Sequence, residues 1–223
     1  STANLTVGSS GSVMAGERTV QTEGTVTIVQ DGAFSESLEV LGGTTTASGT
    51  NSFDGNINVH GGATLSIPSG KFLRATSDVT VDSAATVAGP GTLYYAAPYK
   101  TFTNSGTISA PVVFEGISFQ YTTLLGNGTW SSFTMNDSLT VYLGDNSTLT
   151  SANVTLRGTL STNGYTLLLD GGGFHVESTG EVNGAGLTVE TQGTVTITQN
   201  GTFDEALHAV SYTHLTMPTN REV

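Results

Sequence analysis

Apolar and polar residues alternate in "TVTIVQDGAF" (25–34). Successive side chains leave opposite faces of a strand, so Val26 and Ile28 are expected to point inward and Thr25 and Thr27 outward. No stretch of the chain spaces its apolar residues at helical intervals. The alternation comes instead in short units: an apolar strand, a turn with Gly or Ser, a Thr, then another apolar residue. These units read "VHGGATL" (59–65), "VDSAATV" (81–87), "FTNSGTI" (102–108), "LLGNGTW" (124–130) and "LGDNSTL" (143–149). Their threonines, Thr64, Thr86, Thr107, Thr129 and Thr148, step by 22, 21, 22 and 19 positions. "RGTL" (157–160), "ESTGEV" (177–182) and "TQGTV" (191–195) keep the grammar at less regular spacing. A step near 21 or 22 predicts an all-β chain, a single parallel β-solenoid (β-helix) with three short strands and three turns per coil. Tandem β-sandwich domains of about 85 residues are the alternative, and would instead need hairpins flanked by longer alternating runs.

A longer period lies over the short one. "TVETQGTVTITQNGTFDEAL" (188–207) repeats "TVQTEGTVTIVQDGAFSESL" (19–38) with thirteen of twenty positions identical, at a constant offset of 169. The copy extends weakly upstream, pairing Val7, Ser9, Gly11 and Val13 with Val176, Ser178, Gly180 and Val182. At about 21 residues per coil, that offset makes about eight coils, close to a whole number. The second copy is therefore expected to return to the same face of one continuous rod, about 38 Å further along if coils stack like neighbouring strands. Gly24, Gly32, Gly193 and Gly201 are expected at corners with positive φ, which glycine adopts at least cost.

Composition sharpens this reading. The chain of 223 residues is 8% aromatic and 11% charged, and contains no cysteine. A narrow interior filled by Val, Ile, Leu and Ala in preference to large rings is the expectation. The net charge of −12, with six Lys and Arg, excludes the phosphate contacts that drive nucleic-acid affinity and disfavours an anionic membrane surface. Absence of cysteine removes disulfides and thiolate metal sites. No apolar run is long enough to span a bilayer as a helix. An acidic, Cys-free, Thr/Ser/Gly-rich β protein fits an exported bacterial surface protein.

"NVHGGATLSI" (58–67) and "VESTGEVNGAGLTV" (176–189) resemble the rungs of right-handed parallel β-helix surface proteins, of the autotransporter-passenger and adhesin type. The resemblance covers most of residues 7–209. It implies a right-handed, pectin lyase-like solenoid at the cell surface, with a structural or adhesive role as a rigid stalk or display scaffold. Environmental or host glycans and other surface proteins are the implied partners, and uncapped solenoid ends imply end-to-end self-association. Two Phe-x-x-Asn tetrads, "FDGN" (53–56) and "FTMN" (133–136), with "GGA" (61–63), resemble a chlamydial polymorphic-membrane-protein pattern, but such tetrads arise readily in Thr/Gly/Asn-rich sequence.

Residues 210–223, "VSYTHLTMPTNREV", break the pattern and resemble a translated sequencing-adaptor read-through across Val210–Thr216, Pro218 and Thr219, with Met217 departing from it. The solenoid is therefore expected to occupy residues 1–209, as one full super-repeat and the start of the next, followed by a non-native tail. Such a tail gives Tyr212, His214 and Arg221 no functional weight. The chain starts at Ser1 without Met and reads as an excerpt of a longer, metagenomic gene.

Candidate chemistry is sparse. A polysaccharide lyase or glycoside hydrolase, the runner-up function, needs carboxylates flanking a cleft, and a lyase needs cations as well. His60 and Asp82 stand one coil apart by the spacing of the threonines, as do Glu115 and Asp137, while Lys71 and Arg74 are near Asp78 and Asp82 in sequence. Without an Asp-Asp pair, a Gly-His-Gly or an Arg-x-Lys, these read as solvated corner side chains, and no catalytic, cofactor or metal residue is assigned. Oxygen donors in 54–62 and 143–149 lack calcium-loop spacing. Thr25-x-Thr27, Thr101-x-Thr103 and Thr194-x-Thr196-x-Thr198 are spelled out too rarely to predict a flat ice-binding ladder. The sequons at Asn4, Asn127, Asn136, Asn146, Asn153 and Asn200 follow from composition, and His175 is expected on an outward strand position. Trp130 and the Tyr94, Tyr95, Tyr99 cluster could stack on sugars or cap a coil edge.

Overall fold

A computed structural model describes residues 2–5, 19–29, 31–116, 120–150, 152–183, 188–203 and 206–209. Every strand pairing among them is parallel, and each partner lies one lap away in sequence. Ile57–Val59, Thr64–Ser66 and Phe72–Ala75 make one lap; Val79–Val81, Thr86–Ala88 and Thr92–Tyr95 make the next, directly against it. Laps differ in length: Val20 to Leu38 is a short one and Val79 to Phe102 a long one. The strands of the laps build three sheets, of ten, seven and eleven strands, called here the first, second and third in the order the chain visits them from Thr19 onward. The chain is thus a β-solenoid, and the sandwich alternative is excluded by the absence of antiparallel pairing among the described residues.

Two-residue alternation decides what is inside. Val26 and Ile28 are buried, and Thr25 is exposed between turns that Gly24 helps to form. Leu38 and Val40, Ile57 and Val59, Val79 and Val81 repeat that pattern on successive laps of the first sheet, so one apolar column lies on the next. Burial of this continuous column is the dominant stabilising term, at about 25 cal/mol per Å² of apolar surface removed from water.

The interior is not restricted to small aliphatics. Phe34, Phe53, Tyr95, Phe102, Phe114, Trp130, Phe133 and Phe174 are all fully buried. Phe34 and Phe53 occupy the same register position on adjacent laps and stack with ring centroids 4.5 Å apart and planes 3° from parallel. Tyr95, Phe102, Phe114, Trp130 and Phe133 form a second group with centroid separations between 5.1 and 6.3 Å. Rungs in register bring ring against ring, an arrangement that repays large side chains with contacts beyond their buried area. Low aromatic content therefore reflects a ring-free surface over much of the rod, not an interior too narrow for rings.

Corners need close approach as well as positive φ. Gly24 has φ 79° and Gly32 φ 155°, as expected of corner glycines. Gly201 is required for a different reason: a Cβ there would collide with the carbonyl oxygens of Gly180 and Glu177. Gly193 is not at a corner of the expected kind, because it lies inside the long strand Thr188–Gln199. That strand pairs with Leu167–Val176, another long strand, with a register shift between Asp170 and Gly172. Gly171 and Gly172 take φ 79° and 87° at this irregularity. From Leu167 onward, therefore, the turn between the second and third faces is absorbed into continuous strands.

The long repeat returns one face out of phase. Thr19–Thr22 is in the first sheet and Thr25–Ile28 in the second. Eight strands further along the first sheet comes Glu181–Asn183, and the second copy begins only after it. Val189–Gln192 pairs with Leu167–Asp170, which pairs with Ser147–Thr150 beside Thr129–Trp130 on the second face; Val195–Gln199 pairs with Gly172–Val176, on the third. The repeat offset thus spans eight laps plus one face, because several laps are short, Val20 to Leu38 and Thr140 to Thr159 among them. Thr148 lies on that same second face beside Thr129–Trp130, but the ladder partner of its strand is Leu167–Asp170, so it is not a register partner of Thr129. The upstream extension of the repeat at Val7 to Val13 and the tail at 210–223 lie outside the described residues.

Candidate functional site

The second sheet presents a column of threonines. Thr25, Thr44, Thr64, Thr86, Thr107 and Thr129 face one another across consecutive laps. All lie on the outer face, flanked in each strand by buried Val26, Thr45, Leu65, Val87, Ile108 and Trp130. Their hydroxyls make no hydrogen bond among the described residues, and no charged residue shares these strands. The scarcity of the Thr-x-Thr spelling is therefore misleading: a threonine ladder exists, and in the second column Ser66, Ala88, Ser109 and Ser131 take the places that Thr27 and Thr46 begin. That second column is mixed. Ala88 interrupts it, and the Ser131 hydroxyl donates to the Ser109 carbonyl at 2.9 Å.

His60 and Asp82 are brought together as their spacing predicts, with Nδ1 3.2 Å from the carboxylate. A third residue, 21 positions before His60 and not singled out in the sequence, completes the cluster: Glu39 lies 2.6 Å from His60 Nε2. Asn58 Nδ2 also donates to Glu39, at 2.6 Å. The hydrogen bond to Glu39 is the main reason the His60 pKa rises above its ordinary value of 6.5. Both imidazole nitrogens are engaged, one by each carboxylate, so the three groups bracket the ring instead of converging on a common point. Among the described residues no group of three or more His, Asp and Glu is arranged to hold a metal ion.

Glu115 and Asp137 are not brought together. The register partner of Phe114 is Met135, which sets Glu115 against Asn136. Glu115 instead accepts from Arg74 Nη1 at 2.9 Å, while Asp137 accepts from the Thr179 hydroxyl at 2.7 Å. Arg74 thus turns away from Asp78 and Asp82; Asp78 accepts from the Thr101 amide at 2.8 Å. The oxygen-rich loops are used internally too. Asp54 accepts from the Thr76 hydroxyl, and both Asp145 oxygens accept from the Gly126 amide at 3.1 and 3.0 Å.

Around the Arg74–Glu115 pair lies a groove of about 310 Å³, lined by Arg74, Ala96, Glu115, Gly116, Gln120 and Asn136. It follows the corner where the chain passes from the third sheet to the first. On the first-sheet side of that corner stand Tyr99 and Tyr121, one lap apart, and Tyr142 stands two positions further along the next strand, level with Thr123. Their ring centroids are 5.0 and 5.3 Å apart, with successive planes turned by 83° and 70°. Tyr99 and Tyr121 are 59% and 42% exposed, and the Tyr99 amide donates to the Tyr121 carbonyl at 2.7 Å, locking one lap to the next.

Of the aromatics singled out in the sequence, Trp130 and Tyr95 are buried and cannot meet a sugar. Tyr94 is half-buried, packed edge-on to Phe72 at 5.4 Å. Only Tyr99 of that cluster belongs to the exposed string; Tyr121 and Tyr142, not singled out in the sequence, follow it at steps of 22 and 21, the same lap-length spacing that marks the threonines. His175 is exposed on its strand, as expected. Among the sequons, Asn127, Asn146, Asn153 and Asn200 are exposed and Asn136 lines the groove, while the side chain of Asn4 lies outside the described residues. No protein-family description, curated protein or solved structure matches the chain, so the geometry alone carries the functional reading.

Proposed function

We propose that the chain is a rigid segment of a large, repetitive, exported bacterial surface protein, serving as a stalk or display scaffold that carries an adhesive face outward. The observation that carries this reading is the uninterrupted interior. Buried residues from Ile28 to Val182 form one cluster, so over that stretch each lap is held by its neighbours. The near-copy of residues 19–38 at 188–207 supports extension by repetition, and the acidic, cysteine-free composition supports an exported setting.

A hydrolytic role is the weaker reading. It needs two carboxylates across a cleft, whereas the Arg74 groove is lined by Glu115 alone among acidic residues, and that carboxylate is paired.

The test is length. A chain carrying one further copy of the long repeat should be longer in solution scattering by about 38 Å, eight strand spacings along the stack. An unchanged maximum dimension with a larger cross-section would mean that copies fold against each other, and would reject the stalk.

A further inference from the structure

We infer that the corner carrying Tyr99, Tyr121 and Tyr142 and the Arg74–Glu115 groove beside them is a binding site for an extended, neutral polysaccharide chain lying along the rod axis. This goes beyond a scaffold role, and either can fail without the other.

Three observations converge. First, tyrosine rings follow one another at 5.0 and 5.3 Å, partly exposed, Tyr121 beside Tyr99 and Tyr142 two positions further along the next strand, on a rod whose largest rings are mostly buried. Sugar rings offer apolar C–H faces that pack on such aromatics, and the tyrosine hydroxyls can reach sugar oxygens. A linear chain of pyranoses laid along the axis advances by about one ring per lap, because laps are about 4.8 Å apart. Second, the adjoining groove is lined by planar polar groups: the Arg74 guanidinium, the Glu115 carboxylate and the amides of Gln120 and Asn136. Such groups accept and donate in pairs, as neighbouring sugar hydroxyls require. A concave surface with a few convergent polar groups is the usual form of a ligand site.

Third, charge selects the ligand class. Arg74 is neutralised by Glu115 at 2.9 Å, and the whole chain carries −12. A polyuronate would meet net repulsion and would have to break that ion pair, whereas a neutral glycan would use it as a fixed donor–acceptor couple. Arg74 is thus a ligand-positioning group held in place by Glu115.

The experiment is titration of the full chain by calorimetry and by tyrosine fluorescence with three probes: cellohexaose, chitohexaose and oligogalacturonate. One of the neutral hexaoses should bind and oligogalacturonate should not. Tyr121→Ala should weaken binding about tenfold, the equivalent of one lost ring contact with its buried area. Tyr165→Ala, at an exposed ring outside the corner, should leave it unchanged. Asn136→Ala should also weaken it, which tests the groove separately, and unchanged thermal unfolding of each variant shows that the rod is intact. Silence towards both neutral hexaoses, preference for oligogalacturonate, or equal binding by wild type and Tyr121→Ala would each overturn the assignment.

Discussion

Tyr95, from the third sheet, packs edge-on against Phe102 of the first, across the interior, with centroids 5.1 Å apart. Its hydroxyl is buried and has no hydrogen-bond partner among the described residues. The neighbouring Thr122 hydroxyl donates instead to the Lys100 carbonyl at 2.9 Å. Burial pushes the Tyr95 hydroxyl pKa far up. Tyr95→Phe keeps the ring and removes only an uncompensated polar atom, so it should stabilise the chain by about 1 kcal/mol. Urea midpoints of the two proteins decide it, and a lower midpoint for the variant would show that the hydroxyl is bonded after all.

Asn104 is fully buried and closes a corner over two laps. Its Nδ2 donates to the Thr129 carbonyl at 3.2 Å, and its Oδ1 accepts from the Gly106 amide at 3.1 Å. Asn104→Leu leaves both backbone groups without that partner and should cost about 1–3 kcal/mol. On the next lap Gly126, with φ 87°, has no room for a Cβ, which would overlap the Asn104 carbonyl oxygen. Gly62 has a similar φ of 82°, yet nothing lies near its added Cβ. Gly62→Ala should therefore carry only the backbone cost of about 1–2 kcal/mol, and Gly126→Ala distinctly more. Equal thermal shifts for the two alanines would contradict this packing.

These contrasts show where sequence reading stops. The inward column of Val26, Ile28, Val79 and Val81 follows from alternation alone, because strand geometry leaves a side chain two choices. Thr64, Thr86 and Thr107 are legible as a column because their spacing is the lap length. Tyr121 lies 22 positions after Tyr99 and His60 lies 21 after Glu39, so the same spacing permits both pairs, but it does not tell them from the many other residues so spaced. Both depend on the length of each intervening turn, which differs between laps as unlike as Val20 to Leu38 and Val79 to Phe102. A one-residue error in one turn moves a side chain to the other face, so cross-lap partners are undecided until the register is known. Buried rings elude the sequence for the same reason, since ring-on-ring stacking requires in-register laps.

The Glu39–His60–Asp82 cluster makes stability depend on pH. The folded His60 pKa is raised above 6.5, so the protonated ring is favoured by folding. That contribution is complete below pH 6.5 and is lost as pH rises through the folded value. His60 is 40% exposed, so solvent screening keeps the effect below about 1 kcal/mol. His60→Gln should unfold at a lower temperature than wild type at about pH 6, and the gap should close at about pH 9. A His60 ring titrating at or below 6.5 by proton NMR would remove the basis for this.

Phase is the last quantity the geometry sets. If the repeat offset made a whole number of laps, Thr198 would lie where Val29 does, just past the second face. Instead His175 and Thr198 are register partners on the third face, and both side chains are accessible. In a protein without native cysteine, His175→Cys with Thr198→Cys should form a disulfide under mild oxidation, since directly opposed strand residues have Cβ atoms about 4.5–5.5 Å apart. As a control, Thr27→Cys with Thr198→Cys should not, because those positions lie on different faces many laps apart. The consequence reaches beyond one crosslink. A rod extended by such copies would turn each equivalent surface by one face per copy, so an adhesive site carried once in every copy would wind around the stalk instead of lining one side. Efficient oxidation of the paired cysteines supports the lap register on which this phase rests, and failure in a folded variant would reject that register.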